Sequence, residues 1–126
     1  MSLKDYSLSI QRLLEKTPFI VAINFSYEER PPSAGLIKGN LFFSEGSQLD
    51  FKEFVLSQPR IIVVKYAYNY RRGRDIIFRY DNAFDPLAKS FFTYPVHKHL
   101  PTGIFPAHQP SLDEVLSEIL STIKTP

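Results

Sequence analysis

Residues 65–83 read "KYAYNYRRGRDIIFRYDNA", and the way this stretch folds back on itself decides the architecture. Lys65 to Tyr70 alternate aromatic with other residues, Asp75 to Asn82 do so again, and Arg-Arg-Gly lies between. Alternation around a glycine turn predicts an antiparallel hairpin, with strands over 60–70 and 74–82. Centring the turn on Arg72-Gly73 pairs Tyr70 with Asp75, Tyr68 with Ile77, Tyr66 with Arg79 and Val64 with Asp81. Side chains two apart share a face. One face then holds Tyr66, Tyr68, Tyr70, Asp75, Ile77, Arg79 and Asp81, and the other holds Val63, Ala67, Ile76, Phe78 and Tyr80. A shift of one residue would dissolve that grouping, because an odd slip sends every side chain of one strand to the opposite face.

Outward from the hairpin the pattern continues as strands. Residues 19–28 alternate, and Pro31-Pro32 ends them. Residues 36–43 and 48–55 flank Ser-Glu-Gly-Ser, whose Glu45-Gly46 centre suits a tight turn. That turn pairs Glu53, on an otherwise apolar parity, with Lys38 as a cross-strand ion pair. Residues 90–97 are extended, and Pro95 confines them to an edge or an irregular stretch. Helices bracket the strands. Leu3, Tyr6, Ile10, Leu13 and Leu14 line one face of residues 3–16, and Thr17-Pro18 stops that helix. Ser111 and Glu114 form a capping box ahead of a helix over 112–124 with a stripe of Leu112, Val115, Leu116, Ile119, Leu120 and Ile123. The expectation is a single α+β domain over residues 1–126. Its five- or six-stranded, mostly antiparallel sheet spans about 19–97, both helices pack on one face, and the other face is open.

The composition is that of an ordinary globular protein, with 44% hydrophobic and 22% charged residues. The absence of cysteine excludes disulfides and thiolate metal sites. No apolar run approaches the roughly 20 residues a membrane helix needs, and no signal-peptide core follows the N-terminus. A cytoplasmic, membrane-free protein is expected. Residues 60–99 carry eight Lys or Arg against three Asp, a net of +5 where the whole chain has only +2. Such asymmetry points to an anionic partner, although an Arg-tipped surface hairpin would look the same.

His97 and His99 are two of only three histidines. On an extended segment they point the same way, about 6.6 Å apart, with Lys98 opposite. Two chemistries fit. Paired imidazoles can move protons in metal-free phosphodiester cleavage while Arg and Lys stabilise the charge. Alternatively, His-x-His with Asp81 can bind a divalent metal that activates water. His-x-His alone is a weak motif, and tyrosine stripes are more often packing than chemistry. No phosphate-binding glycine loop, His-Glu-x-x-His pattern or nucleophile elbow is present.

The succession "GNLFFSEGSQLDFKEFV", "KYAYNYRRGRDIIFRYDNA", "HKHL" and "PSLDEVLSEI", from about Gly39 to Ile119, resembles the TumE-type toxins of toxin–antitoxin pairs. The family pattern has Pro-His-His where this chain has Phe84-Asp85-Pro86, and a further histidine where it has Val96. The resemblance implies growth inhibition neutralised by an antitoxin with a helix-turn-helix domain. By functional analogy, it also implies action on RNA. The reading is a metal-independent ribonuclease without a cofactor. His97 and His99 transfer protons, Arg79 and Lys98 bind phosphate, and Asp81 orients an imidazole. Tyr66, Tyr68, Tyr70, Arg71, Arg72 and Arg74 hold the substrate. The competing reading is a non-catalytic interaction protein whose open aromatic face binds an antitoxin or a second copy. A metal-dependent nuclease ranks third.

Overall fold

The computed structural model describes residues 1–83 and 93–123. Two helices, α1 (Leu3–Lys16) and α2 (Leu112–Ile123), enclose seven strands. These are β1 (Ile20–Arg30), β2 (Ala34–Phe43), β3 (Gln48–Leu56), β4 (Ile62–Arg72), β5 (Asp75–Asp81), β6 (His97–Leu100) and β7 (Gly103–Pro106). They pair in chain order as one antiparallel meander. The α+β class stands, but the described residues hold seven strands rather than five or six. The extra pair, β6–β7, consists of four-residue strands, too short for an alternation signal. Residues 90–92 of the expected extended segment lie outside the described residues.

Both helices begin with a capping box. Ser2 and Asp5 exchange hydrogen bonds at α1, as Ser111 and Glu114 do at α2. Both cover the same sheet face. Tyr6 of α1 donates to Glu53, and Glu118 of α2 accepts from Tyr80. Glu53, Tyr68 and Tyr80 share that face by register. Ile10 and Leu14 of α1 and Leu112, Val115, Leu116 and Ile119 of α2 bury against Ile37, Leu41, Leu49, Phe51, Val55 and Phe78. Each such side chain contributes about 1.5–3 kcal/mol by leaving water.

Two turns depart from expectation, and the departures rearrange the faces. The β2–β3 loop has three residues, Ser44 to Gly46, closed by Phe43 against Ser47, with Gly46 at φ +99°. That moves the register by one, so Glu53 lies opposite Ile37 and not Lys38. In place of the expected ion pair, buried Glu53 accepts from Tyr6 and Tyr68 hydroxyls, both at 2.5 Å. The β4–β5 turn is Gly73-Arg74, which pairs Arg72 with Asp75. A bulge then leaves Ile77 unpaired, so Tyr70 meets Phe78 and Tyr68 meets Tyr80. The turn shift alone is even and preserves the faces. The bulge adds one residue and flips Arg79 and Asp81 away from the tyrosines.

Candidate active site

The uncovered face is organised in rows that run across the strands. One row is Lys38, Lys52, Ala67, Asp81, His97, and the next is Asn40, Asp50, Asn69, Arg79, His99. Their ends meet on β5 and β6. Asp81 Oδ1 lies 2.8 Å from His97 Nε2 and also accepts from the Ala83 amide at 3.1 Å. Asp81 Oδ2 accepts from Arg79 Nε at 2.7 Å and lies 3.4 Å from His99 Nε2. The two imidazole rings meet edge to face at 4.8 Å. The sequence "RYDNA" builds this locally. Arg79 and Asp81 point the same way from a strand, and Asn82 ends the strand by bonding the backbone of Tyr66 and Val64.

The two histidines differ in what they can do. His97 is 1% exposed, with Nδ1 2.7 Å from the Pro95 carbonyl oxygen and Nε2 on Asp81. Both neighbouring atoms are acceptors, and the ring is buried between them, so His97 packs against Asp81 and does not face solvent. His99 is one-quarter exposed. Its Nε2 lies 3.4 Å from Asp81 Oδ2, and the ring is the more accessible of the two imidazoles. Among the described residues, Arg79 bonds Asp81 alone, through Nε, and it is about one-third exposed, which leaves its terminal nitrogens for an anion.

Other expected site residues sit elsewhere. All three tyrosines, Tyr66, Tyr68 and Tyr70, are buried, at 4%, 1% and 1% exposed; the Ile77 bulge parts Tyr68 and Tyr70 from Arg79, whereas Tyr66 still lines the groove that holds Arg79 and Asp81. Tyr68 bonds Glu53, Tyr70 bonds Ser47, and Tyr66 stacks on Tyr68. They leave no aromatic stripe for bases or for a docking protein. Lys98 points away from the histidines, as strand alternation requires, and pairs with Glu118 at 2.8 Å above the Tyr80 ring. The arginine tip is largely neutralised internally. Arg71 binds Asp50 and the Gly73 carbonyl, Arg72 binds Glu45, and Arg74 occupies the exposed turn. Phe84-Asp85-Pro86 lies outside the described residues.

Lys38, Lys52 and Lys65, by contrast, are not among the site residues expected from sequence, although Lys65 belongs to the basic segment 60–99. All three are exposed and border the same face as Arg79 and Asp81. Correct parity in residues 36–40 and 50–54 would have grouped Lys38 with Lys52, and the one-residue error in the β2–β3 loop concealed it.

Against known families, the model described as Toxin TumE matches residues 10–125. The chain belongs to the Toxin TumE family. The match spans nearly the whole chain and supports a toxin role for it. No curated protein and no solved structure matches the chain. In this TumE family member, Asp81, His97 and His99 offer ligand atoms within 4.8 Å of one another, close enough to hold a metal ion. The site's own chemistry argues for a different occupant. Both oxygens of Asp81 already face N–H donors, and a guanidinium at 2.7 Å competes for the same charge as a metal cation. No helix among the described residues is long and apolar enough to cross a membrane.

Proposed function

We propose that this chain is the toxin of a toxin–antitoxin pair and that it cleaves RNA without a metal at the Arg79–Asp81–His99 cluster. The observation that carries this reading is Asp81, a buried carboxylate bound by an imidazole and a guanidinium on the face the helices leave uncovered. His99 Nδ1 takes the proton of a ribose 2′-hydroxyl. The 2′ oxygen then bonds to phosphorus as the bond from phosphorus to the 5′ oxygen breaks. Solvent protonates the departing 5′ oxygen, leaving a cyclic phosphate. The free nitrogens of Arg79 stabilise the charge that builds on the phosphoryl oxygens. His97 is a positioning residue that fixes Asp81, and Asp81 fixes His99.

The expected partner is an antitoxin with a helix-turn-helix domain that covers this face. The test incubates pure protein with labelled RNA and DNA, with and without a chelator. Cleavage of RNA alone that persists in chelator and falls about 10²–10⁴-fold in His99→Ala is the expected result. Chelator-sensitive cleavage would transfer the chemistry to a metal bound by Asp81, His97 and His99. Absence of any cleavage would overturn the reading.

A further inference from the structure

Lys38 on β2 and Lys52 on β3 lie directly opposite each other. Like charges so placed destabilise a sheet. Among the described residues, no carboxylate lies within ion-pair distance of Lys38, Lys52 or Lys65. Glu28, which feels the field of Lys38, is itself tied to Arg30. An uncompensated like-charge pair needs a reason outside folding, and its position supplies one. Lys38 and Lys52 belong to the row that runs through Asp81 to His97, with only the small Ala67 between Lys52 and Asp81. Lys52 is two strand spacings from Asp81, roughly 10 Å. Lys65 lies opposite Phe54 in the neighbouring row, and Phe54 lies opposite Leu36. Together these side chains border a groove of about 580 Å³ that runs to Arg79 and Asp81.

We infer that this groove is a binding track for single-stranded RNA leading to the cleavage site. Lys38 and Lys52 hold backbone phosphates beyond the scissile one. Lys65 holds a third, and a base rests on the apolar floor of Phe54 and Leu36. The apolar floor favours a single strand, because a duplex hides its base faces whereas an unpaired base stacks on an aromatic ring. The inference rests on the RNA-cleaving reading and deepens it by assigning the substrate's path.

The test compares wild type with a Lys38→Ala/Lys52→Ala variant. The readouts are affinity for a labelled single-stranded RNA over a salt series and turnover of a dinucleotide too short to reach the lysines. Two lost phosphate contacts reduce the slope of log affinity against log salt by about 1.4. Affinity at low salt falls about tenfold or more, and turnover of long RNA falls by more than turnover of the dinucleotide. The variant melts at or above the wild-type temperature, since a repulsive pair has been removed; a structural role for these lysines would lower it. Unchanged RNA affinity and slope in a variant that still cleaves would overturn the track and leave the cleavage reading intact. So would loss of affinity for an acidic antitoxin alone. A wild-type protein that neither binds nor cleaves RNA would overturn both.

Discussion

Among the described residues, the sheet carries two buried carboxylates, on opposite faces, and their partners separate packing from chemistry. Glu53, beneath the helices, accepts only neutral phenolic hydroxyls from Tyr6 and Tyr68. Burial raises its pKa, although the two hydrogen bonds work against the rise. Those phenols are pushed well above their ordinary range by burial first and then by the Glu53 charge. The group is a polar knot inside an apolar layer. Asp81, on the face the helices leave open, accepts instead from a guanidinium and a backbone amide, with a buried imidazole at 2.8 Å and a second, partly exposed one at 3.4 Å. A carboxylate held by a guanidinium beside a partly exposed imidazole is equipped to orient a reacting group. The comparison teaches that the charge of the donors, more than burial itself, marks which carboxylate does chemistry.

Arg79→Ala should break the comparison most sharply. Removing the guanidinium from Asp81 and from the reacting phosphate should lower the cleavage rate roughly 10²–10³-fold, read by single-turnover kinetics on labelled RNA. Leu116→Ala probes the covered face. A cavity under α2 should cost about 2–5 kcal/mol in denaturant unfolding and leave the rate per folded molecule unchanged. Glu53→Gln should have the smallest effect and the opposite sign near neutrality. A raised carboxyl pKa means that the folded state binds more protons than the unfolded state at pH values above the ordinary glutamate range, near about 4.3. Wild-type stability therefore falls as pH rises from there toward the folded value. Glutamine keeps one acceptor and adds a donor for the second phenol, without a charge to desolvate. The denaturation midpoint of this variant should match or exceed wild type at pH 7, and the difference should close toward pH 4. A Glu53→Gln variant less stable than wild type at pH 7 would mean that the ionised carboxylate itself holds Tyr6 and Tyr68.

Much of this was legible in the sequence because it depends on periodicity. Ser111, Glu114 and the apolar stripe placed the second helix within one residue of its observed end, and Thr17-Pro18 placed the end of the first. His97 and His99 share a face because residues two apart on a strand must, and Lys98 opposes them for the same reason. Arg79 and Asp81 were grouped correctly by the same parity. The tyrosines were not, because a bulge at Ile77 has no period; it is a local insertion that inverts everything beyond it. The three-residue loop closed by Gly46 acted similarly on Glu53 and Lys38. Individual strands were readable from alternation, whereas their relative registers depended on loop lengths that alternation does not encode. The family resemblance was carried by the hairpin and His-Lys-His motifs, which survive these register errors.

The most direct measurement places Asp81→Asn and Glu53→Gln side by side on the same labelled RNA in chelator, with folding checked by circular dichroism. Each change removes one buried charge while preserving shape. Cleavage near the wild-type rate in Glu53→Gln and reduced about 10²–10⁴-fold in Asp81→Asn is the expected outcome. Equal rates in the two folded variants would contradict the assignment of chemistry to the uncovered face.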